Sequence, residues 1–291
     1  MNPFDLRGPE FLLFYVVLSA VVLLALVLAR RAAESGPLPK LDVADPYLIA
    51  FLRGGPNETA RVGIVSLIDR GLLQASATTV KTTGTASGAA VRRPIEKAIM
   101  KLFGSPADVS TAFGHPEIEA ACQGYEATLT KVGALPSPDV RVARRGRLGI
   151  AVVVLVGTAI LKIAVALARG RTNIGFLIIL TIAVVVIASK VSRPRLTLTG
   201  NRLLRDIKSL YAGLKGRAAM VAPGGATVEA AMLMACFGIA ALSGLGYGYI
   251  ESLFPRAVKS GGSCGSSCGS SCGSSCGGGG CGGGGCGGCG S

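Results

Sequence analysis

Three apolar runs, Phe11 to Ala29, Leu148 to Ala168 and Ile174 to Ser189, are bounded by basic residues and decide the solvent in which this chain folds. About 20 helical residues cross the roughly 30 Å hydrocarbon layer, and a helix satisfies every backbone N–H and C=O there without water. The expectation is an integral membrane protein. Half of the 291 residues are hydrophobic, and they are gathered in blocks instead of recurring at helix or strand period.

Outside the blocks, only residues 30–147 make a segment of domain size, enough for a small core. The net charge of +14 invites a nucleic-acid reading, but its distribution points to a membrane. Residues 30–147 hold 16 basic and 11 acidic side chains, whereas residues 190–217 hold 8 basic ones against Asp206 alone. Arg30 and Arg31, then Arg141, Arg144, Arg145 and Arg147, then Lys190, Arg193 and Arg195 crowd the ends of the apolar runs. Such clusters mark cytoplasmic flanks and attract anionic headgroups.

The nearly neutral first residues, with Arg7 beside Asp5 and Glu10, belong outside by the same rule. Span one then enters, residues 32–147 are cytoplasmic, and spans two and three form a hairpin turning outside at Arg169 to Asn173. Arg169 and Arg171 oppose this scheme and are outvoted by the larger clusters. The first run is too long, and its leading residues too neutral, for a cleaved leader; an uncleaved anchor is expected.

The segment Ala230 to Ile250 has the length of a fourth span but contains Gly238, Gly244, Gly246 and Gly248. It is expected either to cross the membrane or to lie buried against the other spans or the cytoplasmic module. The chain divides into an N-terminal anchor (1–31), a cytoplasmic helical domain (32–147) and a transmembrane hairpin (148–190). There follow a basic amphipathic helix with the fourth apolar segment (191–259) and a Gly/Ser/Cys tail (260–291). The fold class expected is mainly α, with three or four transmembrane helices and a small module carrying a β-ribbon.

Within the module, Pro46 starts a helix that Gly54-Gly55-Pro56 ends, and Asn57 caps a second with Val62, Val65, Ile68 and Leu72 on one face. Gln74 to Lys81 suits a strand, Thr82 to Gly88 a connector, and Pro94 opens a helix facing inward through Ile95, Ala98, Ile99 and Phe103. Helix, helix, ribbon, helix is the order of winged-helix-like modules. The helix that would enter a DNA groove balances Arg61 and Arg70 with Glu58 and Asp69, so it lacks the clustered charge that phosphate contact needs. Asn201 to Leu214 sets leucines and Ile207 on one side and Arg202, Arg205 and Lys208 on another. That side is expected to lie on the inner leaflet or to cover the module.

The run Asp45-Pro46-Tyr47-Leu48-Ile49-Ala50-Phe51-Leu52-Arg53-Gly54-Gly55-Pro56, with Arg70-Gly71-Leu72-Leu73, His115-Pro116-Glu117-Ile118-Glu119 and Leu196-Thr197-Leu198-Thr199-Gly200, resembles a family of bacterial multi-pass membrane proteins of unassigned biochemistry. The resemblance covers most of residues 1–260, and the first motif is its most specific part. Members of that family often end in Gly-rich tails dotted with cysteine. The resemblance implies an integral membrane protein and carries over no catalytic residue.

The tail holds 16 Gly, 9 Ser and 7 Cys, a composition that cannot offset the entropy of ordering. Cys264, Cys268, Cys272 and Cys276 recur every fourth residue; Cys281, Cys286 and Cys289 follow between glycines. As thiolates they suit zinc or another soft metal, cross-linking or acylation, and an inert low-complexity tail is the plainer reading. Three spans keep these thiols in the reducing cytoplasm, whereas four place them outside.

His115, the single histidine, has Glu119 and Cys122 at helical spacing, a geometry open to a metal, but a helix start before Pro116 explains it better. Lys162 interrupts span two about 9 Å from its end and is expected to reach for the interface. Phosphate-binding loops, zinc-peptidase helices and serine elbows are missing, so no catalytic or cofactor-binding residue is assigned and no enzyme is expected. The expected role is a scaffold or protein-interaction one, with lipid and a protein partner or second copy of the chain as partners and nucleic acid disfavoured. The alternative is a metal- or thiol-handling protein working through the tail cysteines.

Overall fold

Proline sets the helix starts. In a computed structural model describing residues 8–34, 36, 44–83, 91–168, 175–216, 227–242 and 246–255, Pro46, Pro56, Pro94, Pro116 and Pro138 each occupy the first position of a helix. The missing N–H costs nothing there and the ring presets φ. The tail and its seven cysteines lie outside the described residues.

Helix α1 (Gly8–Glu34) is followed by α2 (Pro46–Gly54), which starts where the Asp45 side chain accepts the Tyr47 N–H at 3.1 Å. Gly55, at φ +82°, gives its N–H to the Phe51 carbonyl and is at once the N-cap of α3 (Pro56–Asp69). One residue thus closes one helix and opens the next, with a backbone angle that favours glycine. Strands β1 (Leu73–Ser76) and β2 (Thr79–Thr82) pair antiparallel, Ser76 opposite Thr79, and β3 (Ala107–Asp108) adds to β2. The expected β-ribbon is present, but Gln74 to Lys81, expected as one strand, spans parts of both strands and the turn between them. Its two-residue turn holds Ala77 at φ +51° and no Gly, Asn or Pro to mark it.

Helices α4 (Pro94–Leu102) and α5 (Pro116–Lys131) complete the first half of the module. Its second half comes from beyond the membrane hairpin: α8 (Leu198–Leu210), α9 (Ala212–Gly216), α10 (Thr227–Phe237) and α11 (Tyr249–Leu253). Ile49, Leu52, Ile64, Leu67, Leu233 and Leu242 share one core with no exposed surface. The described helices α8, α10 and α11 thus share a core with α2 to α5.

The fourth apolar segment breaks at Gly238, φ +94°, into α10, a 3-10 turn (Ile239–Ala241) and α11. The 11 residues of α10 rise about 16 Å, half a bilayer, and Ala230 to Cys236 are buried against α2 and α3. Of the two expectations, this geometry is the buried one. Leu203 and Ile207 of α8 likewise face the core, so its apolar side covers the module.

Among the described residues, three helices are long and apolar enough to cross a membrane: α1, α6 (Pro138–Ala168) and α7 (Gly175–Ser192). Leu13, Val21, Ile150, Val153, Phe176 and Ile179 stand exposed around them, a surface that only lipid makes favourable. Inside the bundle, Phe11 and Tyr15 pack on Leu155, Ala159 and Leu177, and the Tyr15 hydroxyl donates to the Leu155 carbonyl at 3.2 Å. At 31 residues, about 46 Å, α6 exceeds the hydrocarbon layer, and its first three turns reach out to the module.

Candidate functional site

The most concentrated polar structure in the molecule lies where the spans meet the module. Glu34, the last residue of α1, has a side chain only 2% exposed, a costly position for a carboxylate without partners. It has three. Arg144 of α6 donates through Nε at 2.8 Å and brings Nη2 to 2.7 Å, Arg30 donates through Nε at 3.1 Å, and the Leu198 N–H reaches it at 3.3 Å.

The guanidinium groups are spent on backbone as well. Arg144 Nη1 donates to the Pro194 carbonyl at 2.8 Å, and Arg30 Nη2 to Leu196 at 3.4 Å. Arg147 Nη1 reaches the Ala29 carbonyl at 3.2 Å and so ties α6 to α1 one turn before its end. The Thr199 hydroxyl donates to the Glu34 carbonyl at 3.0 Å. One carboxylate thus ties the end of α1, the second turn of α6 and the chain leaving α7.

That leaving chain is fastened to the module at three further points. Arg195 donates to the carbonyls of Leu52, at 2.9 Å, and Phe51, capping the C-terminal end of α2, and its guanidinium lies 5.4 Å from the Phe51 ring centre. The Thr197 N–H donates to the Ala134 carbonyl at 3.2 Å, and its hydroxyl donates to the Gly133 carbonyl at 2.6 Å. Gly200 packs so closely that a Cβ there would overlap the Ala134 carbonyl.

The remaining motif residues also hold structure. Arg93 pairs with Asp45 at 2.6 Å, while buried Glu96 accepts from the Tyr47 hydroxyl at 2.8 Å and from Arg70 at 2.9 Å. Burial and the neighbouring Glu96 push the Tyr47 phenol well above its usual range, so it stays a donor. Arg53 and Arg61 share Glu58, and Arg61 lies 5.0 Å from the Phe113 ring centre.

No reactive arrangement emerges from these contacts. Cys122 is buried and pushed up to about 12, Cys236 to about 11, both chiefly by desolvation, so neither is a ready thiolate. His115 is the N-cap of α5, its Nδ1 accepting the Glu117 N–H at 3.3 Å. Glu119 is exposed and Cys122 buried, and among the described residues no three His, Cys, Asp or Glu side chains gather as a metal site. Lys162 places its ammonium 4.5 Å from the Phe11 ring centre, at the end of the bundle opposite the joint.

Sequence reasoning passed over Glu34, Arg195 and Gly200 as working residues. A signal was present for Glu34: it is an acid four residues after Arg30, at the basic end of the first apolar run. With this geometry established, comparison against protein-family models, curated proteins and solved structures yields no match.

Proposed function

We propose that this chain is a multi-pass membrane scaffold, with its N-terminus outside and residues 32–147 cytoplasmic, whose module presents a rigidly mounted surface to a protein partner or a second copy. The observation that supports this reading is the joint at Glu34. There a buried ion pair and side-chain hydrogen bonds to backbone tie the ends of α1 and α7 and the start of α6 to the chain entering α8, as a part that holds others in register requires. The basic flanks favour the orientation, and the motif resemblance to bacterial membrane proteins favours the same class. The order α2, α3, hairpin, α4 supports calling the module winged-helix-like, while the pairing of Arg61 with Glu58 favours protein over DNA as its partner.

The test is photo-crosslinking in cells from exposed positions of the module, such as Lys97 and Arg92. A discrete adduct, lost when the module surface is recharged, is expected. Its absence from every exposed position removes the scaffold reading.

The sequence favours one rival, a metal- or thiol-handling arm built on Cys264 to Cys289. Metal bound by the full chain is to be compared with that bound by a chain ending at Lys259. Equal content eliminates the arm.

A further inference from the structure

The joint arranges charge as well as helices. Three residues that close it have an exposed cationic neighbour: Arg31 follows Arg30, Arg145 follows Arg144, and Arg193 precedes Pro194. Successive helical residues turn by about 100°, so as Arg30 and Arg144 point in to Glu34, Arg31 and Arg145 point out. Lys190, exposed in the last turn of α7, adds a fourth cation from the third helix. Consecutive Cα atoms lie about 3.8 Å apart, so the arginines stand at the level of the joint itself.

Most of the exposed apolar surface of these helices lies to one side of that level, with Val142 of α6 on the other. On the far side of the joint the exposed side chains are Val21, Leu24 and Leu28 of α1, Ile150 and Val153 of α6, and Ile182, Val186 and Ile187 of α7. Hydrocarbon must cover these, so headgroups meet the protein at the ring. Across residues 26–34, 138–150 and 186–200 there are nine basic side chains and two acids, Glu34 and Asp139. Glu34 is consumed inside the joint, and Arg141 is spent on Glu126 at 2.8 Å. Arg31, Arg145, Lys190 and Arg193 stand exposed at this level.

We propose that Arg31, Arg145, Lys190 and Arg193 form a ring that binds anionic phospholipid headgroups in preference to zwitterionic ones, and so seats the module against the membrane surface. A lipid phosphate is the occupant because exposed apolar side chains adjoin the ring on one side and the module on the other. The inference rests on the membrane reading above and is independent of the scaffold role.

The full chain, purified in detergent and reconstituted in phosphatidylcholine bilayers, is probed with spin-labelled phosphatidylglycerol and phosphatidylcholine. Electron spin resonance reads the fraction of each lipid held at the protein. Phosphatidylglycerol is expected to associate about fivefold more strongly, the equivalent of one well-placed cation, with the preference collapsing at high salt. The variant R31Q/R145Q/K190Q/R193Q loses the preference, and R31K/R145K/R193K keeps it. Equal association of the two lipids with the wild-type chain overturns the proposal, as does an undiminished preference in the glutamine variant. Should the glutamine variant not fold, salt dependence in the wild-type chain decides. A chain that stays soluble without detergent and never enters bilayers sinks the membrane reading, and the ring with it.

Discussion

Glu34 and Arg144, 110 residues apart, hold one another at 2.7 to 2.8 Å in a buried setting where α1 ends and α6 has yet to enter the membrane. Removing one partner strands the other's charge, whereas removing both does not. Glu34→Gln is expected to cost about 3–5 kcal/mol, and Glu34→Leu combined with Arg144→Met to recover much of it. Denaturant unfolding of the detergent-solubilised chain measures both; strictly additive losses would contradict a coupled pair.

Gly200 and Gly124 give opposite expectations for the same substitution. A Cβ on Gly200 meets the Ala134 backbone, which cannot yield without moving the α5 exit. At Gly124, inside α5, nothing stands within 4 Å. Gly200→Ala should therefore lower the melting temperature by several degrees, whereas Gly124→Ala should raise it, from about 1 kcal/mol of helix propensity.

Arg195 caps α2 with a planar fork that lysine cannot reproduce. Arg195→Lys is expected to lose about 1–3 kcal/mol, because the Phe51 and Leu52 carbonyls compete for a single ammonium. Hydrogen exchange at the C-terminal turn of α2 would show the loss locally. Unchanged protection there would rule the cap out.

Thiol labelling reports on the tail alone. Cys122 and Cys236 are buried, and desolvation disfavours their thiolates, so at neutral pH both react only on unfolding. A chain ending at Lys259 should resist an impermeant maleimide until denaturant is added. Raising the pH speeds labelling of tail thiols first, because the buried pair holds its protons to higher pH. In intact spheroplasts the three-span topology predicts no labelling of the full chain, and rapid labelling would place the tail outside. Fast reaction of the shortened chain would instead show the module's core to be open.

Much of the architecture was legible. The three spans announced themselves by length and composition, and Pro46, Pro94 and Pro116 gave helix starts, the last with His115 before it, whereas Asn57, expected to cap the second helix, lies inside α3, which Gly55 caps and Pro56 opens. A ribbon was expected after the second helix, but the place of its turn was obscured because Ala77 carries it without the residues that usually mark one. Glu34 and Arg195 were hidden for another reason: their partners, Arg144 for the one and the Leu52 carbonyl for the other, lie 110 and 143 residues away along the chain.

Hydropathy and capping are properties of neighbouring residues, so the sequence alone determined that α1, α6 and α7 belong in lipid and where most helices begin. Only the tertiary structure decided that Ala230 to Cys236 leave lipid for the module's core, and that one carboxylate at Glu34 locks spans to module. An apolar segment is equally content against hydrocarbon or against protein, and a charge tolerates burial only beside its partner. Both choices therefore wait on which surfaces the folded chain brings together.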